Sequence, residues 1–235
     1  MSDSFSRDEA LSFGWKTMKS NLAFFIVLLL ILFMIGAIPT ALNSLLQNAT
    51  KGNEGVSGLS ALTVLITTIL SIASQVVSFI MQIGVLKISL KFCDGEKPDF
   101  SELFKNYRLF WRFLGASLLV GLIVVGGFIL LIVPGIIWAI RYSFVNYLIV
   151  DKNCGIMESL HKSREITEGK KGGLFVFFII LGLINILGLI CLGVGLFATV
   201  PTSMLALAFV YRQLLGQVEP AAATSSPMIA PQVGE

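Results

Sequence analysis

No charged side chain interrupts the sequence from Leu22 to Leu46. A helix rises about 1.5 Å per residue, and the hydrocarbon of a bilayer takes roughly 20 apolar residues to cross. This run is long enough to span, and a soluble fold has nowhere to hide it. Gly36, Pro39, Asn43 and Ser44 are the breaks within it.

The pattern recurs along the chain. Residues 61–90, 113–133, 135–150, 174–200 and 202–215 are further apolar stretches, with almost no connection between the third and fourth spans. Only 13% of the residues are charged and the mean hydropathy is +0.86, whereas soluble domains carry about a quarter charged residues. The expected fold is all-α: a polytopic membrane helix bundle of six transmembrane helices in three hairpins, with interfacial amphipathic helices on the cytoplasmic side.

Lys and Arg beside the spans set the orientation, because they collect on the cytoplasmic face. Arg7, Lys16 and Lys19 precede the first span. Lys87, Lys91, Lys97, Lys105, Arg108 and Arg112 lie between the second and third, and Lys152, Lys162, Arg164, Lys170 and Lys171 between the fourth and fifth. Arg212 follows near the end. Of the 17 basic residues, Lys51 alone falls on the opposite side, and Arg141 lies within a span. A multi-pass protein of the cell (inner) membrane with both termini cytoplasmic is therefore expected. Residues 1–216 form its membrane domain, and residues 217–235, rich in Ala, Pro and Ser, a disordered tail. The polar lead-in is too long and the first apolar run too extended for a cleaved signal peptide.

Each basic segment has the makings of a surface helix. Ser6 and Glu9 have capping-box spacing, and Phe5, Leu11, Trp15 and Met18 offer an apolar side. Pro98, with Asp99 or Ser101 as cap, opens a second such segment, sided by Leu103, Phe104, Tyr107, Phe110 and Trp111. Residues 152–171 supply the third. Lys16, Lys19, Lys105, Arg108, Arg112, Lys162, Arg164, Lys170 and Lys171 are the candidate contacts to lipid headgroups, and anionic membrane lipids are the expected partners. Residues 47–60 read as a polar, Gly-rich loop on the other side. Asn48-Ala49-Thr50 in it has the form of a glycosylation sequon, with nothing else pointing to a secretory route.

A proline stands near each expected outward tip: Pro39 in IGAIPT, Pro134 in LLIVPG and Pro201 in FATVPT. Glu9, Glu102 and Glu158 each open a polar-amphipathic segment ahead of a hairpin. A threefold repeat of surface helix, span, proline tip and span is one reading, and such parallel repeats pack about an axis along the membrane normal. Independent placement of prolines at tips and basic helices at the inner leaflet is the other.

Within the spans, polar residues are few. Ser71, Gln75, Ser78, Gln82 and Ser89 recur at spacings that put them on one face of the second span, as glue between helices or as the wall of a polar groove. Arg141 falls seven residues past Pro134, about 10 Å along a helix from the tip. A charge at that depth is costly. It snorkels, bonds carbonyls and the amides of Gln75, Gln82 or Asn185, or holds a lipid phosphate.

The run PGIIWAIRYSFVNYLIVD followed by GIMESLHKSREITEGKK resembles a group of prokaryotic multi-span membrane proteins of unknown function. It is also similar to the membrane domain attached to some glycerophosphodiester phosphodiesterases. The resemblance implies a six-helix membrane domain in a bacterial or archaeal inner membrane. It does not imply phosphodiesterase activity, which belongs to a separate soluble domain.

The catalytic inventory is thin. His161 is the one histidine and sits among Lys162 and Arg164, as a solvated residue would. Cys93, Cys154 and Cys191 have no paired spacing for a metal or a disulfide framework. No P-loop, GxSxG or HExxH occurs. No cofactor, metal or nucleic-acid partner is expected, and the chain reads as a non-enzymatic, lipid-interacting membrane module or scaffold. The alternative is a transporter or channel whose path is lined by Arg141 and the Ser/Gln face of the second span.

Overall fold

The computed structural model describes residues 5–51, 57–191 and 193–225, and among them the chain is helical with no strand. α1 (Arg7–Ser20) leads into α2 (Leu22–Lys51) and α3 (Ser57–Cys93). A short α4 (Glu102–Lys105) and a 3-10 turn (Tyr107–Leu109) precede α5 (Phe110–Leu130) and α6 (Ile132–Arg141). Then come α7 (Val145–Lys152), α8 (Ile156–Thr167), α9 (Lys171–Ile190) and α10 (Leu196–Ser225).

Among the described residues, five stretches are long and apolar enough to cross a bilayer: Leu22–Leu45, Leu62–Cys93, Glu102–Leu130, Ile132–Lys152 and Lys171–Ile190. Their outer faces are apolar too. On α5, Leu118, Leu122, Val125 and Ile129 form an exposed helical stripe, Ile129 at 81%. A continuous apolar face of this kind is stable against hydrocarbon and unstable against water. The protein is a membrane protein by this argument. The sixth expected span, α10, does not stand out by hydropathy because it is the interior helix. Leu205, Ala206, Ala208, Val210, Tyr211 and Leu214 on it are fully buried. A helix walled by protein carries Thr202, Ser203 and Arg212 at little expense, since neighbouring helices satisfy them.

Of the three prolines expected near tips, Pro134 stands beside a turn, while Pro39 and Pro201 lie within helices. Pro39 lies inside α2; its missing N–H frees the Ile35 carbonyl in the preceding turn, and the adjacent Gly36 carbonyl takes the Thr40 hydroxyl at 2.9 Å. The α5–α6 turn is at Leu131, one extended residue (φ −166°, ψ 152°), and Pro134 sits in the first turn of α6, where a proline ring is tolerated. Pro201 lies within α10. The expected fifth span also ends early, at Ile190, and Gly193 takes the turn with φ 74°.

α5 meets α6, and α9 meets the turn before α10, at glycines. A Cβ on Gly127 would sit 2.8 Å from the Gly135 Cα, and one on Gly195 would sit 2.7 Å from the Gly188 Cα. Backbones approach this closely only where side chains are absent.

The amphipathic segments are docked rather than afloat. α1 buries Ala10, Gly14 and Met18 against α10, with Phe13 stacked on Phe209 at 4.8 Å. A Cβ on Gly14 would meet the Thr202 carbonyl oxygen at 2.5 Å. α4 sits on α3, where a Cβ on Gly84 would meet the Leu103 Cα at 2.3 Å. α8 buries Ser159, Leu160, Ser163, Ile166 and Thr167. The other expectations shift with these. α2 and α3 run into the stretch expected as a Gly-rich loop, of which residues 52–56 lie outside the described ones. α10 continues to Ser225, so the start of the expected disordered tail is helical, and residues 226–235 lie outside the described ones.

Candidate functional site: a lateral groove beside a broken helix

The expected fourth span is discontinuous. α6 stops at Arg141, residues 142–144 turn, and α7 restarts at Val145. A helix end inside a bundle leaves carbonyls without partners, and here α8 supplies one set. The Ser163 and Thr167 hydroxyls donate to the Arg141 carbonyl at 2.9 and 3.3 Å. The Ser143 hydroxyl turns back to the Ile140 carbonyl at 2.8 Å.

The break aims Ser143, Asn146 and Tyr147 into a groove of about 440 Å³. Leu32, Ile35 and Gly36 of α2 wall it on one side, Ser78, Met81, Gln82, Val85, Leu86 and Ser89 of α3 on another, and Phe113, Met204 and Leu207 complete it. Asn146 pairs with Ser117 at 3.3 Å, and Tyr147 stacks on Tyr211 at 5.3 Å between centroids. Ser78 and Ser89 donate to carbonyls of their own helix, Ser74 and Val85. Among the described residues, none that lines it is charged. Such a groove suits an apolar chain with a weakly polar group, because nothing in it repays the desolvation of an ion.

The four candidates from the sequence do not converge. Gln82 lines the groove; Gln75 is exposed and outside its lining. Asn185 donates to the Ser203 hydroxyl at 2.9 Å and to the Leu181 carbonyl, joining α9 to α10. Arg141 is half-buried, its Nε buried without a partner, and no bond ties it to Gln75, Gln82 or Asn185. Asn146 and Ser117 escaped the sequence reading, although a polar residue inside each of two adjacent apolar spans is the signal that would have paired them.

The polar end of the bundle holds a second constellation. Arg212 donates to Asp151 and to Asp94, both at 2.7 Å, and the Tyr211 hydroxyl donates to Asp151 at 3.0 Å. The Asp151 side chain is 8% exposed. Arg112 bonds Asn153, Lys91 bonds Glu102 at 3.0 Å, Lys170 bonds Gln217, and Gln213 bonds Glu9 at 3.3 Å. These bonds draw the N-terminal segment, the α3–α5 connection, the α7–α9 connection and the end of α10 together at one end. On α8, Glu158 takes the Gly155 N–H and the Lys162 ammonium. The Lys162 bond, with the Gly155 N–H behind it, holds the Glu158 carboxyl below the ordinary glutamate range.

Fold and site together define the class: an all-helical membrane protein with five apolar helices of spanning length and a groove that opens among them. Residues 122–217 match a family described as "Protein of unknown function (DUF975)". "Uncharacterized protein Rv2560" of Mycobacterium tuberculosis (strain ATCC 25618 / H37Rv) is 26% identical over 235 residues, with 92% of this chain and 70% of the relative covered. "Uncharacterized protein Mb2590" of Mycobacterium bovis is 25% identical over 231 residues at the same coverage. No solved structure matches.

Proposed function

We propose that this is a non-enzymatic, multi-pass inner-membrane module that holds a lipid chain in its lateral groove. In this reading α10 makes a sixth crossing, the helices pair as α2/α3, α5/α6–α7 and α9/α10, and the polar end lies in the cytoplasm with both termini. The skew of 17 basic residues, with Lys51 alone on the far side, supports that orientation. The observation that carries the reading is the groove itself: apolar, uncharged, walled by α2 and α3, and met by a few convergent polar groups.

Gly36 provides the test. It lines the groove, and a Cβ added there meets nothing within 4 Å. Gly36→Phe fills the space without displacing backbone. Native mass spectrometry of the detergent-extracted protein is expected to show retained lipid in the natural chain and its loss in Gly36→Phe, at an unchanged size-exclusion profile. Equal lipid retention in the two proteins sinks the proposal.

The break between α6 and α7 favours a second reading, a transporter or channel with Arg141, Gln75 and Gln82 along its path, since discontinuous helices mark transport sites. An uncharged lining favours the lipid over an ion.

A further inference from the structure

A second recess lies at the polar end, and its chemistry is the opposite of the groove's. It encloses about 450 Å³ between the 3-10 turn, the start of α5 and the end of α7, and is lined by Lys105, Asn106, Arg108, Leu109, Arg112, Val150 and Asn153. Three cations face it, and among the described residues no carboxylate does. The nearest acid in the sequence, Glu102, takes Lys91 at 3.0 Å more closely than Lys105 at 3.6 Å. Asp151 is engaged by Arg212 and Tyr211. Lys105 therefore keeps a shared counter-charge while Arg108 and Arg112 have none among the described residues, and the net positive charge of the recess suits an anion.

The recess is also built. α7 ends at Asn153, in the left-handed region with φ 54°. That conformation turns both the Asn153 carbonyl and its side-chain oxygen toward Arg112, whose Nη1 donates to them at 3.0 and 2.8 Å. The guanidinium is thereby oriented by one nitrogen, leaving the rest of its planar fork for a tetrahedral oxyanion. The same segment, residues 104–111, carries the exposed aromatic rings Phe104, Tyr107 and Trp111, the last 76% exposed. Aromatic rings collect at headgroup level, where one side is apolar and the other wet.

From these two observations we infer that Lys105, Arg108 and Arg112, with Asn106 and Asn153, form a phosphate-binding site at the membrane surface. The ligand chemistry is a phosphate group, carried by a lipid headgroup or free in solution. The site does not depend on the groove; only its lipid source rests on the reading of the polar end as a bilayer surface.

The test uses the full chain in neutral detergent, titrated by native mass spectrometry with phosphatidylglycerol, with diacylglycerol and with inorganic phosphate as competitor. Arg108 has no hydrogen bond or ion pair within the described residues, so Arg108→Glu leaves the packing as it is. Phosphatidylglycerol is expected to bind at least about tenfold more tightly than diacylglycerol, and Arg108→Glu to weaken it by about tenfold or more. Lys97→Glu, a control on the exposed connection between α3 and α4, is expected to change it by less than about twofold. Arg112→Lys keeps the charge but loses the fork, and an intermediate loss is expected.

Competition by inorganic phosphate that vanishes in Arg108→Glu supports the site with a soluble source. Lipid binding that depends on Arg108 without such competition supports it with a headgroup source. Equal phosphatidylglycerol affinity in the natural chain and Arg108→Glu overturns the inference, as does equal affinity for diacylglycerol. Gly36→Phe probes the groove alone, so either proposal can fail while the other stands.

Discussion

α2 with α3 and α9 with α10 are both contacting pairs of apolar helices, yet they are held by different means. α9 and α10 meet backbone to backbone at Gly188 and Gly195, are bridged by Asn185 and Ser203, and are tied again at Lys170 and Gln217. α2 and α3 share one side-chain hydrogen bond among the described residues, Asn43 to Ser71 at 3.2 Å, and otherwise meet through side chains, with Phe24 and Phe25 against Phe92 at 5.6 and 5.1 Å between centroids; Gly36 stands in open space. The family match at residues 122–217 covers the closely packed hairpin and leaves α1–α3 outside it. α2 and α3 pack through side chains, Phe25 and Leu28 against Met81, Val85 and Ile88, and the groove opens further along the pair, at Leu32, Ile35 and Gly36. A bundle glycine-packed throughout would have no lateral site.

The largest expected effect comes from unlocking α10. Arg212 joins it to α7 at Asp151 and to the end of α3 at Asp94. Arg212→Met leaves the Asp151 carboxylate buried with the Tyr211 hydroxyl alone, and losing one partner of a buried pair costs about 3 kcal/mol. Denaturation in mixed micelles is expected to show that loss, and Arg212→Met with Asp151→Asn to recover a large part of it, because the stranded charge is then gone. No recovery in the double variant would place the cost in packing rather than charge.

Next in size is a direct contrast of glycines. Gly188→Ala places a Cβ 2.5 Å from the Thr199 hydroxyl oxygen and 3.1 Å from the Gly195 carbonyl carbon; overpacking of this kind costs roughly 1–3 kcal/mol. Gly36→Ala meets nothing and removes a helix-interior glycine, a gain of up to about 1 kcal/mol. Opposite signs in the same unfolding assay sharpen the comparison, and equal losses break it.

Much of this was legible in advance for a physical reason. Apolar runs and the skew of Lys and Arg are one-dimensional signals, so α2, α3, α5 and α9 follow from the sequence. The turn at Leu131, the helical setting of Pro39 and the docking of α1 on α10 depend on which backbones touch, and a lone Gly14 or Gly84 carries no periodic mark of that. Arg141 drew attention as a charge in an apolar run, whereas the helix break at residues 142–144 is what shapes the groove. Asp151 and Arg212 are 61 residues apart, and each alone reads as a solvated end residue. The cations beside the spans were readable as headgroup contacts singly. That Lys105, Arg108 and Arg112 share a recess was not, because Asn153 turns one of them inward.

The smallest effect belongs to α8, which leads into the closely packed hairpin. Glu158 accepts from the Lys162 ammonium at 2.7 Å and from the Gly155 N–H at 3.3 Å, and Gly155, having no side chain, returns no bond. Its carboxyl is held below the ordinary value of 4.5. A carboxyl depressed on folding stabilises the fold above its ordinary value, and that contribution is lost as the pH falls through the folded value. The first turn of α8 is therefore expected to loosen only below pH 4.5. The Gly155 amide resonance of labelled protein in nanodiscs reads this directly: a titration below 4.5, flat in Glu158→Gln and moved upward in Lys162→Met. Ser163 and Thr167, which cap Arg141, lie two turns further on, and neither titrates. The change should therefore stop at the start of α8 and leave lipid retention in the groove unaltered. A groove that released its lipid over the same pH range would mean that α8 and the α2/α3 side move together, and the independence of the two hairpins would be gone.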